Sequence, residues 1–113
     1  MKRGEIYLAN LDPTIGGETQ KKRPVLIVSN NANNKAAATI TIVPITSNLK
    51  KVYPFEVLLK SSQTGLTKDS KAQCHQIRTI SKLRITSPAP VGVVSNEIIK
   101  RIEGALKLHL DIA

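Results

Sequence analysis

The sequence predicts a mainly β domain. Five to seven short strands form a curled antiparallel sheet or small barrel, closed by one C-terminal helix. Three observations carry this expectation. Short β-branched runs of strand length recur through the first three quarters of the chain, above all PVLIVS (Pro24–Ser29) and TITIVPIT (Thr39–Thr46). Gly, Pro, Asn and Asp punctuate the intervals between them. Past Pro90 the apolar spacing changes from two to 3.6 residues, the mark of an amphipathic helix.

Each element follows from local chemistry. In GEIYLANL (Gly4–Leu11) alternation sets Ile6, Leu8 and Asn10 on one side and Tyr7, Ala9 and Leu11 on the other. That is a strand buried on one face and in part on the other. Asp12-Pro13 begins a turn, and Ile15-Gly16-Gly17 is a loop. Pro24 to Ser29 is a second strand, and Asn30 to Asn34 reads as a polar loop. Thr39 to Thr46 is a third strand, in which Pro44 marks an edge or the end of ladder pairing. Tyr53 to Lys60 reads as a fourth strand and Ser61 to Ser70 as a loop. Lys71 to Ile80 and Leu83 to Thr86 read as two further strands. Ser95 or Asn96 then caps a helix with Glu97 in its first turn. Ile98, Ile99, Ile102, Ala105, Leu106, His109 and Leu110 make its apolar face.

A chain of 113 residues is one domain. With 41% hydrophobic residues it can build a core, so its basic character is not that of a disordered tail. No apolar run approaches the roughly 20 residues of a membrane span. No stretch of signal-peptide type follows Met1–Glu5, so the expected location is cytoplasmic. The single cysteine, Cys74, excludes an internal disulfide and a four-thiolate zinc site. The formal net charge is +9, and it is concentrated. Gln20 to Arg84 holds twelve basic residues against two acidic ones, Glu56 and Asp69. Such a field attracts a phosphate backbone and speeds encounter with it. The plainer alternative is a solubilising surface with lysines in its loops.

Four segments stand in register: RGEIYLANLDPTIGGE from Arg3, KKRPVLIVSN from Lys21, VPITS from Val43 and QCHQIRTI from Gln73. In order and spacing they resemble the toxins of the MazF/PemK family, over Lys2 to about Leu110. The resemblance implies an SH3-like small barrel of the MazF/PemK/CcdB kind. It implies a homodimer and a sequence-specific endoribonuclease that cuts single-stranded RNA, including mRNA, with no metal or other cofactor. It also implies an acidic, MazE-like antitoxin that blocks the RNA groove. Two other functions fit the same barrel: a CcdB-like toxin that grips DNA gyrase, and a non-catalytic RNA-binding module.

RNA can be cut without a metal when its own 2′-hydroxyl attacks the adjacent phosphate. The site must then take a proton, stabilise phosphate charge and protonate the leaving 5′ oxygen. The resemblance places a catalytic arginine at Arg23, whose guanidinium can donate two hydrogen bonds to phosphate. The other reading makes Lys21, Lys22 and Arg23 a solvated loop. Thr46 stands where family members carry a threonine or serine against the scissile phosphate; otherwise it is a strand or turn residue. Kid-type members are thought to use a histidine in the first loop with an arginine and an aspartate in the QCHQIRTI region. This chain has Gly17, Gln73 and His75 there, which favours the arrangement centred on Arg23 and Thr46. His75 could replace the aspartate as proton carrier, or be a half-buried strand residue. Gln76, Arg78 and Thr79 match the family's QxRT pattern, and alternation in a continuous strand puts Gln76 and Arg78 on one face. Arg78 is then an RNA contact or a structural partner. In the flanking loops Glu18 and Gln20 could read base edges. Lys22, Ser47, Lys50 and Tyr53 complete the RNA-contact set.

Overall fold

The computed structural model describes residues 1–113. Its strands are β1 (Glu5–Asn10), β2 (Lys22–Ile27), β3 (Thr39–Thr46), β4 (Glu56–Leu59), β5 (Ser70–Gln73), β6 (Arg78–Ser81) and β7 (Gly92–Val93). Helices α1 (Asn31–Ala36) and α2 (Ser61–Thr64) are short, and α3 (Asn96–Leu110) is the amphipathic C-terminal helix. The strands order as β4-β5-β3-β2-β1-β7, with β6 also on β3, and every pairing is antiparallel. A bridge between Ala9 and Ile85 returns the chain from β6 to β1 and curls the sheet on itself. No helix is long and apolar enough to cross a membrane.

Alternation divides the apolar residues between two cores. Tyr7, Ala9 and Leu11 of the β1 segment meet Val25, Ile27, Ile40, Ile42 and Ile80 inside the curl. Ile6, Leu26, Val43, Ile45, Val57, Leu59 and Ala72 face the other way, against Ile98, Ile99, Ile102 and Ala105 of α3. Strands that serve both cores read as continuous apolar runs, as PVLIV does. Ser95 caps α3, its hydroxyl accepting from the Ile98 N–H at 3.3 Å. Such a cap contributes about 1 kcal/mol.

Pro44 does not lie at an edge. It is buried in β3 and pairs with Val25. On its other side β3 pairs with β6 through Thr39–Ile42 and with β5 through Ile45 and Thr46. Pro44 falls in the gap between the two partners, where a missing N–H costs the ladder nothing. The expected polar loop at Asn30–Asn34 is instead helix α1. Asn30 accepts from the Asn33 N–H at 2.8 Å, and buried Asn34 is held by Ser29. The run Lys71–Ile80 is not one strand, since a single 3-10 turn, Cys74–Gln76, separates β5 from β6. Lys82–Arg84 likewise forms a 3-10 turn before the Ile85 bridge, where a strand over Leu83–Thr86 is expected. The fourth strand is four residues long, and α2 occupies the start of the expected 61–70 loop. At the end of α3, His109 and Leu110 are exposed, so the buried face stops at Leu106.

Candidate nucleic-acid interface

The inward faces of β2 and β3 run out of hydrophobic residues at one end of the curl. Arg23 continues the face of Val25 and Ile27, and Thr46 continues that of Ile40 and Ile42. The two side chains meet there, with Arg23 Nη1 donating to Thr46 Oγ1 at 3.4 Å. A second bond, Arg23 Nε to the Gln20 carbonyl at 2.8 Å, fixes the guanidinium plane. Thr46 is nearly buried, and its Oγ1 also accepts from the Asn48 N–H at 3.3 Å.

These residues line a cleft of about 270 Å³. The loop between β1 and β2 contributes Glu18, Thr19 and Gln20. Beside Arg23 and Thr46 stand Asn48 from the β3–β4 loop and Lys71 and Gln73 from β5. No hydrophobic residue lines it. A guanidinium with a hydroxyl beside it at the mouth of a polar cleft is suited to holding a phosphate. Both groups can donate to non-bridging oxygens and both can stay in place as charge develops. No group of three or more His, Cys, Asp or Glu side chains is positioned to hold a metal ion.

The expected residues divide between this cleft and its surroundings. Glu18, Gln20, Arg23 and Thr46 come together in it. Lys22 and Ser47 line a neighbouring groove that shares Arg23 and is partly apolar through Leu8, Pro24 and Leu66. Lys50 and Tyr53 lie exposed in the β3–β4 loop, with Tyr53 stacked on Phe55 at 5.3 Å and Lys51 Nζ 4.9 Å from the Tyr53 ring centre. His75, Gln76 and Arg78 line a smaller cavity of about 110 Å³ that shares Glu18 and Thr19 with the main cleft. Because the chain turns at Cys74–Gln76, strand alternation does not apply to Gln76. Gln76 holds the first loop, accepting from the Thr19 N–H at 3.2 Å and donating to the Gly17 carbonyl at 3.3 Å. Arg78 donates to the Leu11 carbonyl at 3.2 Å.

His75 packs against Phe55, with ring centres 4.5 Å apart, and its Nδ1 is enclosed without a hydrogen-bond partner in the protein. Burial lowers its pKa, and nearby His109 and Lys71 push the same way against the pull of Glu56. Cys74 is fully buried, and burial with Glu56 nearby pushes its thiol up to about 12, so it is inert. Sequence reasoning missed Thr19, Asn48, Lys71 and Gln73 as cleft residues. Lys71 is a cleft residue because β5 pairs with β3 so that its Cα lies opposite Thr46. No local pattern carries that pairing.

The family model described as the PemK-like, MazF-like toxin of type II toxin-antitoxin systems matches residues 2–110. The chain belongs to this family. Among its MazF-like relatives, endoribonuclease MazF9 of Mycobacterium tuberculosis is 47% identical over 117 residues, covering 99% of this chain and 98% of the relative. Endoribonuclease EndoA of Bacillus subtilis is 32% identical, with 97% and 94% covered. A solved mycobacterial endoribonuclease in complex with its cognate antitoxin superposes with a TM-score of 0.80. It is 26% identical and covers 100% of this chain and 97% of that one. The SH3-like, MazF-type fold expected from the four segments is the fold observed.

Proposed function

We infer that this MazF/PemK-family chain is the toxin of a toxin–antitoxin pair and an endoribonuclease that cuts single-stranded RNA, mRNA included, at the Arg23–Thr46 cleft. The carrying observation is the pairing of the Arg23 guanidinium with the Thr46 hydroxyl in a cleft of wholly polar lining. Arg23 holds the scissile phosphate and offsets the charge that grows on its oxygens. Thr46 donates a hydroxyl hydrogen bond to a non-bridging oxygen. The RNA's 2′-hydroxyl gives up its proton and attacks, the P–O2′ bond forms as the P–O5′ bond breaks, and the leaving 5′ oxygen takes up a proton, giving a 2′,3′-cyclic phosphate and a 5′-hydroxyl. Glu18 and Gln20 face base edges, while Lys22, Ser47, Lys50 and Tyr53 follow the strand on either side. Gln76 and Arg78 support it from the first loop's base. His75 lines the adjoining cavity as the candidate proton carrier, and burial there favours its neutral form.

The partner that restrains this activity is an acidic, MazE-like antitoxin, drawn by the same +9 charge. The active form is a homodimer in the cytoplasm, where its RNA is. Exposed Leu8 beside a partly apolar groove supports a covered face. Sedimentation as a monomer at micromolar concentration would contradict the dimer. The decisive test incubates the purified protein with a long single-stranded RNA in EDTA and maps the new ends. Discrete cuts with 5′-hydroxyl ends, and none in the matching DNA, are expected. Uncut RNA would overturn the ribonuclease reading. The relatives' shared endoribonuclease naming is what sets the gyrase-gripping and non-catalytic alternatives behind it.

A further inference from the structure

We propose that the buried Lys71–Glu56 pair is a positioning element. It holds the β3–β4 loop in the shape that binds RNA, so Lys71 governs substrate affinity while leaving the cutting step to Arg23 and Thr46. The proposal rests on the ribonuclease reading above for its kinetic part, but its structural part can be read without RNA.

The loop from 47 to 55 has no regular secondary structure, yet it carries Ser47, Lys50, Lys51 and Tyr53. Such a segment needs an external tie to keep one conformation. Lys71 supplies it from the strand beside the cleft. Its Nζ donates to the Lys51 carbonyl and to Glu56 Oε1, the latter at 3.1 Å. The same Glu56 oxygen accepts from the Tyr53 N–H at 3.0 Å. Two points of the loop are thereby fastened to one ion pair, whose side chains are 9% and 2% exposed.

A buried pair of this kind is weak support for stability alone, because a neutral pair of similar volume often serves as well. An ammonium does supply several donors from one atom, and here that atom reaches a carbonyl in the middle of the loop. The position follows from register. Lys71 sits opposite Thr46 across β3 and β5, and Glu56 sits opposite Gln73 across β4 and β5. Lys71, Glu56 and Thr46 therefore share one face of the sheet, so the strand that borders the cleft also fixes its neighbouring loop. Arg23 is tied to the Gln20 carbonyl, and Thr46 meets Lys71 only through backbone pairing, so neither side chain bonds the ion pair.

The test uses the full chain. Lys71→Met combined with Glu56→Gln removes both charges at similar volume and leaves no ion unpaired. Lys71→Arg keeps a cation with several donors. Cleavage of a long single-stranded RNA is measured at enzyme excess over a range of concentrations. The double variant should need about tenfold more enzyme for half-maximal rate, with the maximal rate within about twofold of wild type. Lys71→Arg should restore half-saturation to within about threefold. Hydrogen exchange of the backbone amides of 47–55 should quicken in the double variant while those of β2 and β3 stay as they were. An unchanged half-saturation, a loss confined to the maximal rate, or a folded Lys71→Arg protein as impaired as the double variant would overturn the proposal. If the wild type cuts no RNA, the ribonuclease reading fails on its own, and the exchange arm decides the positioning role. Quickened exchange confined to the loop then supports it, and unchanged exchange overturns it.

Discussion

The two loops that border the cleft are held by different chemistry from the same short stretch of chain. The Gly17–Thr19 part of the β1–β2 loop is held by neutral amides. Gln73 accepts from the Thr19 hydroxyl at 2.9 Å, and Gln76 bonds the Thr19 N–H and the Gly17 carbonyl. The β3–β4 loop hangs on a buried cation and carboxylate. Neutral hydrogen bonds contribute roughly 1 kcal/mol each and fail one at a time. A buried ion pair broken at one partner leaves an uncompensated charge and fails all at once. One rim of the cleft should therefore loosen by degrees, the other abruptly. Arg23 and Thr46, between them, touch each loop through one bond only, to Gln20 and from Asn48, so their chemical role should change less than binding does.

The largest effect should come from the residues between the loops. Arg23→Ala should lower the maximal cleavage rate by about 10³-fold, the scale of losing a charged donor to a transition-state oxygen, while both loops keep wild-type amide exchange. An accompanying change in loop exchange would merge rim and centre into one unit. Thr46→Val keeps the strand's shape and should cost about 10- to 100-fold in the same rate. Cleavage at the wild-type rate would remove Thr46 from the chemistry. Next comes Gln76→Ala, which frees the first loop. Half-saturation should rise about fivefold, the equivalent of about 1 kcal/mol, with faster exchange at 17–19 and none at 47–55. Exchange that rises in both loops would mean they are coupled through the Cys74–Gln76 turn.

The smallest effect concerns His75. Burial lowers its pKa in the folded protein, so the unfolded chain takes up the proton first, at about pH 6.5. Stability from this group is full above that pH and is lost as pH falls below it. The urea midpoint should drop between pH 7 and pH 5, and His75→Phe should flatten that slope. An unchanged slope would assign the loss to other groups.

The fold was largely legible. PVLIV and TITIV show β-branched runs because both of their faces are buried, and Ser95 announces α3 because capping is local chemistry. What escaped depends on distant partners. Helix α1 is built on an asparagine-rich run that reads as loop, and it stands because Asn34 reaches back to Ser29. The break at Cys74–Gln76 is invisible in QCHQIRTI, whose composition suits a strand throughout. In the cleft, Arg23 and Thr46 were named through family resemblance, and the geometry then set them 3.4 Å apart. Lys71 was legible only as one positive charge among twelve between Gln20 and Arg84. Its place opposite Thr46 is a matter of register, which no local window contains.

The all-polar lining of the cleft has a consequence for anyone seeking to inhibit the protein with a small molecule. A drug-like compound usually gains most of its affinity by shedding water from apolar surface, and this cleft, with no hydrophobic residue in its lining, offers little to cover. A blocker would have to mimic a nucleotide's anionic phosphate, and its hold on Arg23 would weaken as salt is added. Screens of apolar fragments would pass the site by. The neighbouring groove shares Arg23 and adds Leu8, Pro24 and Leu66, so a compound with an anionic head and a greasy tail could straddle the two.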